Sequence, residues 1–206
     1  VEVYTTETEQ IDVIKRFFAN NGKYLAVGLV LGIGVLAGWH YWQSHQTNQL
    51  QDTAATFEKL NKSLESGSKE SVVATEKFAN ETNNIYGVMA DMDLAKRAVE
   101  QNDLAQAEKR LLAASGKAKD ENMQALASIR LARVQFAEDK TDAALKTLEQ
   151  VKGKGWLVAV ENIRGDILTK KGDIAGARAA YSRGLEADGP QSLKSSIQIK
   201  LNNLSS

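Results

Sequence analysis

Residues 172–190 read GDIAGARAAYSRGLEADGP and have the pattern of the second helix of a helical hairpin. Gly172 and Asp173 form a turn signal, and Pro190 marks the end of the unit. Small and aromatic residues lie between them at helical spacing: Ala177, Tyr181 and Gly184. Small residues let two antiparallel helices approach closely, and a bulky residue fills the space between them. The segment therefore predicts one unit of a helical repeat.

The same pattern recurs twice upstream, which favours a tetratricopeptide-like repeat over an unrelated alanine-rich hairpin. In the last unit the first helix carries Gly165 at the small position and Leu168 at the bulky one. A shift of 33 residues, and a further shift of 37, bring equivalent residues into register: Ala132, Ala144 and Leu148, then Ala95, Ala107, Leu111 and Ala114. We expect repeats at about 88–119, 125–153 and 158–190.

Segments on either side of the three repeats are expected to cap them. Residues 48–82 keep Ala74 and Phe78 at suitable spacing but little else, so they predict a degenerate unit. Residues 191–204 have Leu193, Ile197, Leu201 and Leu204 on one helical face and predict a C-terminal cap helix. Stacked repeats of this kind form a curved α-solenoid with a concave inner surface.

Composition agrees with an all-α fold and excludes several function classes. There is one proline in 206 residues, and proline is the residue that breaks helix interiors. There are no cysteines, which excludes disulfides and thiolate chemistry. Acidic and basic residues balance at 26 each, so no overall charge favours a nucleic-acid partner.

The segment KYLAVGLVLGIGVLAGWHYW, residues 23–42, predicts a transmembrane helix over about 23–43. Its 19 residues from Tyr24 span roughly 28 Å as a helix, close to the hydrocarbon thickness of a bilayer. Tyr24 at one end, with Trp39 and Trp42 at the other, suits the two membrane interfaces. No small-x-small cleavage site follows, so we interpret the segment as an anchor in the lipid bilayer and not as an export signal.

The charges around this segment predict its orientation. Lys15, Arg16 and Lys23 precede it, whereas the first charged residue after it is Asp52. By the positive-inside rule, residues 1–22 are cytoplasmic and residues 44–206 lie outside, which in a bacterium is the periplasm. Residues 11–18 place apolar side chains at helical spacing, which fits either a separate amphipathic helix on the leaflet or an extension of the anchor helix.

Two GxxxG pairs lie within the anchor: Gly28 with Gly32, and Gly34 with Gly38. They fit close packing against a second membrane helix, and they equally fit the general abundance of glycine in such helices.

Positions on the first helix of each repeat are expected to line the concave surface. In the first two repeats they combine apolar groups with cations, which suits an extended polypeptide or a chaperone partner. In a short solenoid the same residues can instead pack against the chain's own helices. The predicted groove residues are Met89, Met92, Lys96, Val99, Leu126, Ile129, Arg133, Phe136 and Asn162.

Catalytic and cofactor patterns are not evident. His40 and His45 are five residues apart at the membrane edge, a spacing that turns them away from each other on a helix. No carboxylate cluster completes a metal site beside them, and no glycine-rich phosphate loop follows a strand. We predict no enzyme activity, no metal and no cofactor.

Several stretches together resemble the YfgM family of Gram-negative bacteria, ancillary subunits of the SecYEG translocon. They are VIKRFFANNGKYLAVGLVLGIGVLAGWHYWQSHQ, EKFANETNNIYGVMADMDLA, DAALKTLEQVKGKGW, RGDILTKKGDIAGARAAY and the final KLNNLSS. The likeness covers essentially the whole chain, and RFFxxNGK and LKTLxxxKGxGW are its most specific parts. The second repeat departs in detail, because its helix junction reads AEDKTD and has no glycine.

The resemblance implies an inner-membrane protein whose periplasmic repeat domain sits beside the SecYEG translocon. It implies work with the membrane-anchored periplasmic chaperone PpiD in passing translocating polypeptides to periplasmic chaperones. It also implies an alternative function, the restraint of an envelope stress-response phosphorelay, for which residues 1–22 would be the cytoplasmic contact.

Overall fold

The computed structural model describes residues 7–204, and in this range α-helices are joined by short turns with no strand. The all-α prediction is therefore confirmed. The chain divides into two compact units, one ending at Thr53 and one beginning at Ala54. The α-helices are α1 (Glu7–Glu65), α2 (Lys69–Glu81), α3 (Ile85–Glu100), α4 (Leu104–Lys117), α5 (Glu121–Ala137), α6 (Thr141–Glu149), α7 (Leu157–Lys170), α8 (Ile174–Glu186) and α9 (Gln191–Asn203), with a short 3-10 helix at Lys154–Trp156.

The first unit consists of the N-terminal part of α1. Helix α1 is the helix that is long and apolar enough to cross a membrane, and none of its apolar segment is buried within the chain. At the end of its apolar segment the rings of Trp39 and Trp42 contact each other at an angle of 50°, with centroids 5.7 Å apart. Helix α1 does not stop at residue 43. It also runs unbroken through residues 11–22, so these extend the apolar helix and form no separate amphipathic one, whereas residues 1–6 lie outside the described range.

In the second unit each helix from α2 to α9 packs against the next one. Hydrogen bonds show that α4 and α5 run antiparallel. Ser115 on α4 pairs with Ser128 on α5 at 3.0 Å, while Glu108 accepts from Gln135 at 3.0 Å. The residue numbers rise along one helix as they fall along the other.

The turns inside the three helix pairs share one backbone conformation. Asn102, Asp139 and Gly172 occupy the left-handed region, with φ of 59°, 63° and 79°. In each turn the next amide donates to a carbonyl five residues earlier, as Lys140 does to Gln135 at 2.9 Å. This is the Schellman arrangement that satisfies the last carbonyls of a helix. Asparagine and aspartate tolerate the left-handed region better than other side chains, so the junction AEDKTD needs no glycine.

Aspartates begin several of the helices that follow a turn. The carboxylates of Asp103, Asp120 and Asp173 accept backbone N–H groups three residues later, at 3.0, 2.9 and 2.9 Å. Such N-caps satisfy amides that have no partner inside the helix. These aspartates lie at the predicted boundaries between helices. The capping residues and the packing therefore agree on where each helix starts.

Within the last pair, the close approach of α7 and α8 depends on Gly165. A Cβ added there would overlap the ring of Tyr181, whose hydroxyl donates to Asp166 at 2.7 Å. Tyr181 is 2% exposed. Its burial, followed by that hydrogen bond, raises the pKa of Tyr181 to about 12. The small residue of α7, Gly165, and the aromatic residue of α8, Tyr181, are thus in direct contact, as the sequence pattern predicts.

Small residues fill the equivalent positions in the other two pairs. Ala95, Ala107, Ala132 and Ala144 are all at most 2% exposed, and Leu111 and Leu148 pack beside them. Helix α9 covers the last pair with Ile197, which is fully buried.

The segment before the first repeat differs from the expected register. Ala74 is exposed, whereas Thr75 and Ala79 on α2 are buried. The prediction of Ala74 at a packing position is therefore wrong by one residue. The end of α1 supplies the partner surface, since Phe57 and Leu64 share a core with Ala79.

We expect Gly165→Ala to destabilise the repeat domain by about 1–3 kcal/mol, because the added methyl group meets a buried ring that has no room to move. Thermal unfolding of the full chain in mild detergent, followed by circular dichroism, measures the change.

Gly116→Ala is the matched control, because a Cβ there meets nothing within 4 Å. It should leave the midpoint unchanged or raise it slightly, since alanine favours helix over glycine. Equal midpoints for both variants would contradict the close approach at Gly165.

Candidate functional site

A cavity of about 510 Å³ lies between α3, α4 and α5. Its floor is formed by residues of the repeat core, and Val99 and Ala137 lie exposed at its edge. Its volume falls in the range of about 300–1,000 Å³ that is usual for ligand sites. The apolar lining residues are Met92, Ala95, Val99, Leu104, Leu111, Val134 and Ala137.

Charged side chains surround this apolar floor unevenly. On α3, Lys96 and Glu100 lie 3.9 Å apart, with both side chains more than half exposed. On α5, Arg130 and Arg133 line the cavity, and that wall contributes no carboxylate. Within residues 7–204 neither arginine forms an ion pair or a side-chain hydrogen bond. Arg130 nevertheless lies near the carboxylate of Asp93 on α3, so the positive charge of the α5 wall is least offset at Arg133.

A second, smaller cavity of about 160 Å³ adjoins the first one on α3. Lys96 and Glu100 line both cavities, and the second is otherwise lined mainly by polar residues from α1 and α3: Asn61, Leu64, Glu65, Asp93 and Arg97. Arg97 is occupied there, because it donates to the backbone oxygen of Gly67 at 3.0 Å. Burial raises the pKa of Asp93, while the nearby Arg130 and Lys96 oppose that rise.

A buried ionic network holds α2, α3 and α4 in the positions that form these cavities. Asp91 is fully buried and accepts from Lys117 at 2.6 Å and from Arg110 at 3.3 Å. Arg110 also donates to Glu76 at 2.6 Å, and Lys117 donates to the backbone oxygen of Ala79 at 2.5 Å. A buried charge is tolerated when it is paired and hydrogen-bonded in this way. The network therefore stabilises the position of α3, whose residues line both cavities, by pairing it with α2 and α4.

Four of the nine predicted groove residues line the larger cavity: Met92, Lys96, Val99 and Arg133. Met89 and Leu126 are half-buried against the core between α3, α4 and α5. Phe136 packs in the next core, beside α7. The other two, Ile129 and Asn162, are buried.

Ile129 and Asn162 pack between helices and do not line either cavity. Ile129 is 4% exposed and contacts the core of α6 and α7. Asn162 is 7% exposed, and its side chain accepts from Lys200 on α9 at 2.9 Å. The reason is that α5 and α7 each lie between two neighbours, so their faces are shared between two cores. Neither residue is part of the accessible cavity.

Several cavity residues were not predicted. Arg130 precedes Arg133 by three residues and lies on the same helical face, which is a signal that the sequence does contain. Leu104 and Leu111 come from the second helix of the first pair, whereas the prediction considered only first helices.

The glycines of the apolar helix face open space. A Cβ at Gly28, Gly32, Gly34 or Gly38 would meet nothing within 4 Å. At 100° per residue the two GxxxG pairs point about 120° apart around the helix.

His, Cys, Asp and Glu side chains do not gather in groups of three or more that could hold a metal ion, in the part of the chain that the structure describes.

Comparison with known proteins identifies relatives over the full length of the chain. A family model described as a tetratricopeptide repeat-like domain matches residues 15–206. An ancillary SecYEG translocon subunit of Escherichia coli K12 is 42% identical over 205 residues, covering 100% of both chains. Proteins of the same description in Haemophilus influenzae and Neisseria gonorrhoeae are 34% and 24% identical, covering 98% and 96% of this chain and 99% and 97% of theirs. No solved structure matches the chain. The predicted fold class, an N-terminal apolar helix followed by tetratricopeptide-like repeats, is confirmed.

We expect Asp91→Asn to destabilise the repeat domain by roughly 3–5 kcal/mol, because it leaves Arg110 and Lys117 buried without their shared counter-charge. Denaturant unfolding of the full chain in mild detergent measures the loss.

Glu58→Gln is the control, since Glu58 pairs with Lys62 at 2.7 Å but both side chains are about 70% exposed. An exposed pair contributes little, so this variant should unfold like the original chain. If Asp91→Asn also unfolds like the original, the network does not stabilise the α3 wall.

Proposed function

Since this chain belongs to the family of ancillary SecYEG translocon subunits, we propose that it is a membrane-anchored adaptor at the translocon. In this proposal the repeat domain binds polypeptide segments and links chains that emerge from SecYEG to periplasmic chaperones. The observation that carries the proposal is the accessible apolar cavity between α3, α4 and α5, with its cationic rim, in a chain that also has a helix fit to cross a membrane.

The cavity has the features that varied polypeptides require. An unfolded segment presents apolar side chains, and the exposed Val99 and Ala137, with Met92 beneath them, offer apolar surface for them. Methionine adapts its shape to different partners. Lys96 has a long flexible side chain at the edge and is held only by a weak exposed pair with Glu100. A site of this kind binds a polypeptide by burying apolar side chains and carries out no chemical step. This agrees with the proposal of an adaptor and not an enzyme.

The proposed location is the bacterial inner membrane, with a single span. The N-terminal segment would be cytoplasmic and the repeat domain periplasmic, because Lys15, Arg16 and Lys23 precede the apolar segment. The chaperone PpiD is the partner that the family resemblance implies in that compartment. The alternative function, regulation of an envelope stress response through residues 1–22, stays a prediction.

We expect a photocrosslinking amino acid at Val99 or at Arg133 to capture PpiD or a translocating polypeptide in living cells. Both positions are exposed and line the cavity. Immunoblotting for PpiD and for an arrested secretory chain would identify the adducts.

Ala74, exposed on α2 and outside the cavity lining, is the matched control position and should give neither adduct. Adducts of equal strength at all three positions, or none at Val99 and Arg133, would contradict binding at this cavity.

We expect the repeat domain to face the periplasm. The chain has no cysteine, so Asn20→Cys and Lys119→Cys each create a unique label site, and both positions are exposed. A membrane-impermeant maleimide applied to spheroplasts should label the variant at position 119 at once and the variant at position 20 only after lysis. The reverse pattern would overturn the orientation and the proposed access to periplasmic chaperones.

A further inference from the structure

The walls of the larger cavity differ in charge, and this difference bears on which polypeptides it accepts. On the α3 wall the charge of Lys96 is offset by Glu100, one helical turn away at 3.9 Å. On the α5 wall Arg133 forms no ion pair within residues 7–204, whereas Arg130 lies near Asp93 of the neighbouring cavity. Arginine remains charged at all physiological pH values, so this wall is permanently positive.

The smaller, neighbouring cavity is lined by more acidic than basic side chains. Glu65, Asp93 and Glu100 line it together with Lys96 and Arg97, and Arg97 is already occupied by the backbone oxygens of Leu64 and Gly67. Carboxylates therefore gather at the junction of α1 and α3, where Asp93 offsets part of the charge of Arg130, and the positive charge of the larger cavity is least offset at Arg133.

On the premise of the proposed function, we propose that the cavity selects polypeptide segments in which apolar side chains are followed within a few residues by acidic ones. The apolar side chains pack against Val99, Leu104 and Ala137, above the buried floor of the cavity. The acidic side chains pair with Arg130 and Arg133.

Two physical arguments support this selection. The apolar area still open to water is supplied mainly by Val99, which is 44% exposed, with Ala137 and the half-buried Leu104, so an occupant that covers these residues removes apolar surface from water. The arginines lie at the rim, where opposite charges attract and like charges repel, so they discriminate between partners more than they add affinity. A segment with lysines in place of the acids would bring positive charges against the α5 wall.

The test measures binding of three synthetic peptides to the full chain in nanodiscs of zwitterionic lipid. Each fluorescein-labelled peptide has the same pair of leucines, followed by two glutamates, two glutamines or two lysines. Fluorescence anisotropy should give the tightest binding for the glutamate peptide, about fivefold tighter than for the glutamine peptide, and the weakest for the lysine peptide. The differences should shrink at high salt, because these rim charges are exposed.

Arg133→Glu should reverse the order, so that the lysine peptide binds more tightly than the glutamate peptide. Arg133 is exposed and makes no ion pair within the described residues, so the variant should fold like the original chain, and circular dichroism checks this. Lys109→Glu is the matched control, since it makes the same change of charge at an exposed position of α4 outside the cavity lining. It should preserve the original order.

Ala137→Trp separates this inference from the proposed function. Ala137 is an exposed cavity residue, so a tryptophan there should fill the site and abolish binding of all three peptides. Ala74→Trp is its control and should bind normally. If all three peptides bind equally and Ala137→Trp abolishes binding, charge selection is wrong and polypeptide binding at the cavity stands. If no peptide binds, or Ala137→Trp changes nothing, binding at this cavity is wrong and the selection fails with it.

Discussion

The close approach of paired helices is the constraint on which the second unit depends. At Gly165 the absence of a side chain lets the ring of Tyr181 lie directly against the backbone of α7. Ala95 and Ala132 have the equivalent role in the earlier pairs. Each repeat is only two helices thick. A helix inside the stack therefore has neighbours on two sides and contributes residues to two cores, as α5 does. The cavity arises where α3, α4 and α5 leave the edge of one core uncovered.

Charged side chains buried inside the stack form ion pairs, whereas those at the cavity are exposed to solvent. Asp91 is buried with two cationic partners, and Glu161, also buried, accepts from Arg183 at 2.7 Å. An unpaired buried charge is costly, so these pairs hold helices together. Arg130 and Arg133 face no such requirement, because they are exposed to solvent. Arg133 forms no ion pair within the described residues, and this suits contact with another molecule.

Much of the fold was predictable from the sequence, because spacing carries the information. The shifts of 37 and 33 residues that align the repeats are also the separations of Asn102, Asp139 and Gly172, the left-handed residues of the three turns. The site was less predictable. A helical periodicity marks which residues are buried but not which of two neighbours covers them, so Ile129 was assigned to the groove although it belongs to a core. The anchor helix was predicted to end at residue 43, although no proline interrupts the chain before Pro190, so the continuation of α1 to Glu65 was missed.

The buried network also bears on how the cavity binds. A site formed between mobile helices must order them on binding, and that cost is subtracted from its affinity. Here Asp91 connects α3 to α4 through Arg110 and Lys117, and Arg110 extends the connection to α2. The floor residues Met92 and Leu111 are carried by these same two helices. Under the proposed function, the α3 and α4 walls are therefore already held in place before a polypeptide arrives, and exposed rim side chains such as Lys96 and Arg133 adjust to it.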